Sequence, residues 1–485
     1  MHVSGTIIGI VVVYMLAMLY IGWKSSKKID SNEDFVVAGR RLGPFLMMGT
    51  LAATEIGGGS SLGVVQNGMN VKFGISASWY IMAMGLAFAA LTFIAPKLRE
   101  TEVKTVPEYF RRKYGKGSGV ITALIMFVPL IGLTAGQFIA SAYILSTMLG
   151  ITYKTAVVIV GVVVTIYAVM GGMWSVTITD FVQVFLIVIG MACALPSAIG
   201  YAGGWSNVVA NVPADTFNMF KGYSPIAVIS LFIMYIGTFT VGQEAVSRYY
   251  AAKDGKAAKQ GSLLACGVNL IYAFIPAIIG IVMLALINMG KFGSEDFAAV
   301  GARYALPVLA VKVMNPIICG LLFSGIISAT MSSADSDLLG AGSIFANDIY
   351  KAVIKKDASD KEVMKMTQTM MVIVGILALI FAYFNTSNLI SILQWCFTLR
   401  AAGTFFPYVL GMYWKKSSTA GTVASLIGGS IIVIMLDNLK MMPGLLKFFG
   451  GQSIVPGLAV ALIAFVVFSV LFPSKTNSTE LPAEK

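Results

Sequence analysis

The sequence has one histidine, His2, and four cysteines among its 485 residues. A single histidine excludes haem held by two histidines and zinc centres built on histidine. Cys193, Cys266, Cys319 and Cys396 lie far apart in apolar runs without metal-ligand spacing, which is typical of thiols that pack as small hydrophobes. These absences argue against a membrane enzyme or a redox subunit, and we expect no catalytic activity.

Charged residues are also scarce, at 12% of the chain, against about 25% in soluble globular proteins. Hydrophobic residues reach 57%, the mean hydropathy is +0.84, and apolar runs long enough to cross a bilayer recur from end to end. The loops between them are too short to hold a hydrophobic core. The composition therefore predicts an all-α polytopic membrane protein in a lipid bilayer.

The apolar runs divide the chain into about thirteen predicted transmembrane helices, whose ends are placed to within about four residues. They are predicted at about 5–23, 44–70, 76–96, 119–149, 154–171, 178–201, 224–246, 262–288, 313–347, 367–385, 388–413, 419–437 and 454–472.

The net charge of +12 is spread over short loops rather than one basic surface, which argues against nucleic acid as a partner. Of the 34 Lys and Arg residues, 25 fall in one set of loops, including Arg248, and eight in the other; Arg400 lies inside a span. Basic loops stay in the cytoplasm, so we predict a cell-membrane protein with its C-terminus inside and its N-terminus outside. The polar residues 473–485 predict a disordered cytoplasmic tail.

The stretch from Leu51 to Gly63 breaks two rules of an apolar helix. Glu55 places a carboxylate near its middle, and three consecutive glycines, Gly57 to Gly59, weaken the helix. Unpaired backbone groups survive at membrane depth only inside protein or along a cavity. The stretch therefore predicts an unwound segment at a solute or ion site.

The segment from Ser328 to Asp337 is the second unusual stretch, because hydroxyls and carboxylates share one apolar span. Ala329, Ser332 and Ser333 lie on adjoining helical faces and offer the oxygen ligands that Na+ prefers. The alternative is that the serines only help helices to pack closely. Asp335 weakens that alternative, because helix packing does not need a buried carboxylate.

Asp180 and Arg400 are two further ionisable residues predicted well within spans, whereas Glu244 and Asp337 lie nearer the ends of theirs and are weaker candidates. Asp180 follows a glycine pair and has two interpretations, as an ion ligand or as a cap at a helix end. Arg400 keeps its charge at any physiological pH. It is predicted either to pair with Glu55 or to bind a carboxylate of the solute, and an exchange between the two during transport is a third reading.

Several motifs in order resemble the sodium:solute symporter family. They are Gly39-Arg-Arg-Leu-Gly-Pro44, Val106-Pro-Glu-Tyr-Phe110, Gly171-Gly172 with Thr179-Asp-Phe-Val-Gln183, Gln243 with Arg248, Ser332-Ser333 with Phe345-Ala-Asn-Asp-Ile-Tyr-Lys351, and Gly411-Met-Tyr-Trp-Lys-Lys416. The resemblance implies a LeuT-like core of two inverted five-helix repeats. It divides the chain into a peripheral first helix and loop (1–43), a first repeat (44–201), a second repeat (202–413), two peripheral helices (414–472) and the tail (473–485).

The resemblance also implies ligands for the coupling ion. The family's common sodium site would use the carbonyl groups of Ala53, Ile56 and Ala329 and the hydroxyls of Ser332 and Ser333. The second sodium site of some members, built from an aspartate and hydroxyls, would use Asp180, Ser332, Asp335 and Ser336. Asp335 departs from the family pattern, which has a hydroxyl there, so a proton is an alternative to a second Na+.

The sugar-transporting members line their pocket with amides and a glutamate, whereas this chain has Glu55 at the position of one amide and Tyr80 near that of the glutamate. With Arg400 opposite, the resemblance implies a small charged solute, an amino acid, a betaine-like compound or an organic carboxylate. The candidate solute-binding residues are Glu55, Gly58, Ser60, Gln137, Gln243, Gln394 and Arg400. We therefore predict an Na+-coupled symporter working by alternating access as a monomer. A proton-coupled symporter and a sodium or solute sensor or channel that does not transport are the alternatives.

Overall fold

The computed structural model describes residues 4–27, 29–293, 305–385 and 389–474. The predicted tail at 473–485 therefore lies almost wholly outside the described residues. Within them the chain is helical, without strands beyond a single backbone bridge between Leu42 and Ala252.

The helices of the first half are α1 (Gly5–Ser26), α2 (Asn32–Val37), α3 (Pro44–Glu55), α4 (Val64–Met69), α5 (Trp79–Leu91), α6 (Ala95–Glu100), α7 (Val106–Tyr114), α8 (Lys116–Leu149), α9 (Tyr153–Tyr201) and α10 (Trp205–Ala210). Those of the second half are α11 (Pro225–Val241), α12 (Gln243–Ala251), α13 (Gly255–Tyr272), α14 (Phe274–Asn288), α15 (Ala305–Val313), α16 (Pro316–Ile344), α17 (Asp360–Phe384), α18 (Leu389–Gly411), α19 (Thr419–Val433), α20 (Pro443–Phe448) and α21 (Ile454–Leu471).

Ten helical stretches among the described residues are long and apolar enough to cross a membrane, and an eleventh crossing results if α11 and α12, bent by 56°, count as one. Their outer surfaces carry exposed Leu, Ile, Val and Phe side chains, as expected where lipid replaces water. The protein is thus a multi-pass helical membrane protein, as the composition predicts.

Two spans predicted to be separate, 154–171 and 178–201, lie within α9, a stretch of 49 residues. The helix is interrupted at Gly172, where φ is 52° and ψ is −174°. A side chain there would also meet the ring of Phe35 at 2.7 Å. The break therefore depends on glycine, which alone adopts this backbone conformation without strain.

The centre of the bundle is built around α16, which packs against α8, α9 and α1 and also touches α3. Its start is well defined because Pro316 occupies the first turn and the Asn315 side chain accepts hydrogen bonds from the next two free N–H groups. Nearly every residue from Ser328 to Ile344 is buried. The polar face of α16 is therefore held inside the protein, opposite the unwound end of α3.

Candidate ion and solute site

The unwound segment predicted between Leu51 and Gly63 is present. Helix α3 ends at Glu55, and Ile56 leaves the helical conformation with φ −81° and ψ 70°. A short π-helical turn, Gly59–Gly63, then leads into α4. The freed groups find partners nearby, because Ser60 donates to the carbonyl of Glu55 over 3.2 Å and the N–H of Gly58 donates to Gln137 Oε1 over 2.8 Å.

The hydroxyls of α16 meet the carbonyl groups at the end of α3. Ser332 Oγ donates to the Ala53 carbonyl over 2.8 Å, and Ser333 Oγ donates to the Thr54 carbonyl over 2.6 Å. Both hydroxyls also lie within 3.1 Å of the Ala329 carbonyl. Three carbonyl oxygens and two hydroxyl oxygens thus converge between two helices, a neutral set of ligands suited to a hard monovalent cation.

Among the residues predicted for the first sodium site, Ala53, Ala329, Ser332 and Ser333 therefore lie together. Ile56 follows in the unwound turn, and its neighbour Gly57 comes so close to α16 that a Cβ there would lie 2.6 Å from Ser333 Oγ. The carbonyl of Thr54, which sequence reasoning missed, occupies the place beside Ser333. No feature of its side chain could have indicated this, because the contact is made by the backbone.

The predicted second site contains a buried arginine. Asp180 Oδ2 accepts hydrogen bonds from Thr50 over 2.6 Å and from Thr54 over 3.4 Å, and it lies 3.5 Å from Arg248 Nη2. Asp180 is well inside α9 and its partners are on other helices, so the prediction that it caps a helix is wrong. Arg248 is fully buried in α12, so its predicted position in a cytoplasmic loop is also wrong.

Arg248 also joins Asp180 to the remaining residues of that site, since its Nη2 donates to Ser336 Oγ. Ser336 in turn lies 2.7 Å from the Ser332 carbonyl and 3.3 Å from Asp335 Oδ1. One buried oxygen of each carboxylate, Asp180 Oδ1 and Asp335 Oδ2, has no hydrogen-bond partner among the described residues. Two carboxylates and one guanidinium leave an excess negative charge, which favours a bound cation or proton.

A small cavity of about 20 Å³, enough for about one water molecule, lies beside the unwound segment. It is lined by Thr54, Glu55, Gly57, Gly59, Ser60, Tyr80, Met84, Leu133, Gln137, Glu244, Ser333, Asp337, Leu393 and Phe397. Three predicted solute-binding residues, Glu55, Ser60 and Gln137, line this cavity. Gly58 lies just behind it, packed so tightly on α8 that a Cβ would be 2.3 Å from Ala140 Cβ.

Gln243 and Gln394, also predicted to bind solute, do not line the cavity. The Gln243 amide instead donates to the Lys104 carbonyl over 2.9 Å and accepts from the Val106 N–H over 3.1 Å, which ties α12 to the segment before α7. The Gln394 amide nitrogen is buried without a hydrogen-bond partner among the described residues. Sequence reasoning could not determine where these two side chains point.

Arg400 forms an ion pair with Glu244, so the prediction that it pairs with Glu55 is wrong. Its Nη1 donates to Glu244 Oε2 over 2.6 Å, its Nη2 donates to Glu244 Oε1, and its Nε donates to Thr238 over 2.6 Å. The guanidinium fills the bend between α11 and α12, where a Cβ on Gly242 would come within 2.6 Å of Nη2. Arg400 therefore sits behind the cavity wall that Glu244 lines.

The sequence profile of the sodium:solute symporter family matches residues 35–429 of this chain. Curated relatives include the osmoregulated proline transporter OpuE of Bacillus subtilis, 27% identical over 95% of this chain and 93% of its own length. The high-affinity proline transporter PutP of the same organism is 28% identical over 94% of this chain and 96% of its own length. A sodium/proline symporter of Staphylococcus aureus is 26% identical over 95% of this chain and 92% of its own length.

Solved transporters share the fold. A Na+-coupled sialic acid symporter in a substrate-bound, outward-open state aligns with a TM-score of 0.84 at 21% identity, covering 98% of this chain and 99% of that one. The transporter MhsT in complex with L-phenylalanine aligns with a TM-score of 0.55 at 13% identity, over 87% of this chain and 97% of its own. At these identities the likeness concerns the architecture alone.

Proposed function

Because this chain belongs to the sodium:solute symporter family, we propose that it imports a small charged solute by coupling its inward movement to Na+ at the oxygen cluster between α3 and α16. The family and its relatives transport solutes and are not enzymes. The observation that carries the proposal is the meeting of Ser332 and Ser333 with the carbonyl groups of the unwound α3. The relatives named as proline transporters favour an amino acid over an organic acid.

In the proposed site, Na+ occupies the space toward which the Ser332 and Ser333 hydroxyls now donate, and both hydroxyls keep their protons. Each serine hydroxyl turns its lone pairs toward the ion, and the carbonyl oxygens of Ala53, Ile56 and Ala329 complete the shell, with that of Thr54 beside them. Because the ligands are neutral, the bound ion keeps its charge and responds to the membrane potential. One Na+ moving inward down 100 mV supplies about 2.3 kcal/mol before any concentration gradient.

Coupling follows because α3 serves both sites. Its carbonyl groups face the ion, while Glu55 at its end and Ser60 in the turn that follows line the cavity, so an ion that holds α3 against α16 also fixes the cavity wall. The coupling is reciprocal, since a solute that favours this arrangement raises the Na+ affinity by the same free energy.

A second cation belongs to the proposal at Asp180, Asp335, Ser336 and the Ser332 carbonyl. The excess negative charge and the two carboxylate oxygens without partners support it. A proton on Asp335 would satisfy the same requirement, which makes proton coupling the second candidate.

The proposed architecture has thirteen spans and two inverted repeats, 44–201 and 202–413, with the C-terminus in the cytoplasm. Splitting α9 at Gly172, pairing α11 with α12, and joining α3 to α4 across the unwound segment adds three spans to the ten long ones. The first span of each proposed repeat is then a broken helix, as in transporters built from inverted repeats. Residues 1–43 and 414–472 would be peripheral to that core.

The sodium site can be tested without knowing the solute, by thermal unfolding of the full-length protein in detergent. NaCl is titrated against KCl at constant ionic strength. We expect Na+ to raise the unfolding temperature in a saturable way and Ser332→Ala to raise the half-saturating concentration at least about tenfold, or about 1.4 kcal/mol.

Ser324→Ala is the matched control, because Ser324 lies on the same helix, is fully buried and has no hydrogen-bond partner among the described residues. It should leave the Na+ dependence unchanged. An unchanged Na+ dependence in Ser332→Ala would place the ion elsewhere. In proteoliposomes, uptake of labelled L-proline driven equally well by a pH gradient without Na+ would favour the proton-coupled alternative.

A further inference from the structure

The wall of the central cavity is unusually acidic. Glu55, Glu244 and Asp337 all line it, while none of the described lining residues is a Lys, Arg or His. The three carboxylates come from different helices and interact electrostatically with one another. A wall of this kind disfavours a carboxylate on the solute, because like charges in a low-dielectric site repel strongly.

One of the three carboxylates, Glu244, forms an ion pair among the residues that the structure describes. Glu244 accepts a hydrogen bond from each terminal nitrogen of Arg400, whose Nε donates to Thr238. Because Arg400 is buried and does not line the cavity, it would reach a solute carboxylate only by moving away from Glu244, which would leave that charge buried without its partner. The sequence-based expectation that Arg400 holds an organic acid loses its geometric support.

Among the described residues, the other two carboxylates form no ion pair within 4.0 Å, and the positive charges of Arg400 and Arg248 act on them only from farther away. Glu55 is 5% exposed, and its Oε1 is buried without a hydrogen-bond partner. Asp337 is 3% exposed, and in the part of the chain that the structure describes it forms no ion pair within 4.0 Å. Buried carboxylates require a cation or hydrogen-bond donors.

We propose that the solute is held through a positively charged nitrogen that donates to Glu55 and Asp337, and that a carboxylate on the solute is not required for binding. The inference rests on the proposed function, because it takes this cavity as the solute site. Tyr80 and Phe397 on the wall suit an ammonium group, since aromatic faces attract cations.

The test uses compounds that share a skeleton and differ in charge. Pyrrolidine, L-proline and cyclopentanecarboxylate form one set, and n-butylamine, 4-aminobutanoate and butanoate form another. Each is titrated into the full-length protein in detergent at saturating NaCl, and the unfolding temperature is followed. We expect pyrrolidine or n-butylamine, which carry a basic nitrogen and no carboxylate, to raise that temperature, and the two carboxylates without nitrogen to have no effect; a shift with the amino acids alone would refute the proposal.

Binding of cyclopentanecarboxylate or butanoate as tight as that of the matching amine would overturn the proposal, and so would the absence of a shift with every amine. The Na+ titration in the same protein separates the two ideas. A normal Na+ response without any amine response refutes this inference alone. Loss of the Na+ response refutes the proposed function itself.

Two variants locate the binding groups. The amine used is one that raises the unfolding temperature of the wild type. Glu55→Gln and Asp337→Asn should each weaken its binding at least tenfold and leave the half-saturating Na+ concentration little changed. Glu100→Gln, on an exposed cytoplasmic side chain, should bind the amine as the wild type does. The Na+ response reports whether a variant is folded, so an unchanged amine affinity in both folded variants would refute the assignment.

Discussion

The Arg400–Glu244 ion pair offers a sharp test of the geometry behind the cavity. If the arginine is committed to Glu244, removing either partner alone must leave a buried charge without compensation. Removing both together should leave none. We therefore expect Glu244→Leu and Arg400→Met to be strongly destabilising as single changes and much less so in combination.

The magnitude follows from the contacts. Two hydrogen bonds between ionised groups join the residues, through Nη1 over 2.6 Å and through Nη2. At about 1.5–3 kcal/mol for each such bond, their loss costs about 3–6 kcal/mol. That agrees with about 3–5 kcal/mol for breaking a buried pair, whereas replacing both partners by apolar groups is often close to neutral.

The measurement is the free energy of unfolding in mixed micelles, for the wild type, both single variants and the double variant. The coupling energy should be at least about 3 kcal/mol. The exposed pair Lys97–Glu100, at 3.1 Å with side chains 43% and 63% exposed, is the matched control. A cycle of Lys97→Gln and Glu100→Gln should give about 0–1 kcal/mol.

Single variants that each cost less than about 1 kcal/mol, with costs that simply add, would refute the reasoning. Arg400 would then not be held by Glu244, and direct binding of a solute carboxylate by Arg400 would again be the better explanation.

Two further predictions concern glycines that the fold requires. Gly58→Ala should lower Na+-driven uptake and destabilise the protein by about 1–3 kcal/mol, because the added Cβ would lie 2.3 Å from that of Ala140. A transport assay measures the uptake, and an unfolding assay measures the stability. Gly172→Ala should cost about 1–3 kcal/mol in unfolding free energy, because φ at this break is 52°.

Each glycine has a control that lacks the steric conflict. Gly267 lies in α13 and Gly200 lies near the end of α9, and an added Cβ at either meets nothing within 4 Å. Alanine at these positions should be neutral or should stabilise by up to about 1 kcal/mol. If Gly58→Ala behaved like Gly267→Ala, or Gly172→Ala like Gly200→Ala, the close packing described for that glycine would be contradicted.

Sequence reasoning located the unwound helix because the signal is local. A carboxylate and three consecutive glycines in one apolar run are costly in lipid wherever the rest of the chain lies, so Leu51 to Gly63 could be recognised without knowing its neighbours. The same holds for the hydroxyls of Ser332 and Ser333. Their contact with α3, however, joins residues 279 positions apart.

The sequence could not predict which buried charged residues form ion pairs with each other. Arg400 could pair with Glu55 or with Glu244, and hydropathy ranks neither, because the answer depends on the rotation of three helices about their axes. Arg248 was misplaced for the same reason, since its charge at the end of an apolar run is typical of a cytoplasmic loop. Packing of α12 against α3 and α16 instead buries it beside Asp180.

The sequence by itself determined the class of protein, the places where helices break and the chemistry available at those places. These depend on composition and on short-range backbone preferences, which each stretch of chain carries with it. Only the tertiary structure decided which charges neutralise one another and which remain to face a ligand. Ion pairing depends on the distance between side chains in the folded protein. Arg400 pairs with Glu244 behind the cavity wall, whereas Glu55 and Asp337 line the cavity without an ion pair among the described residues.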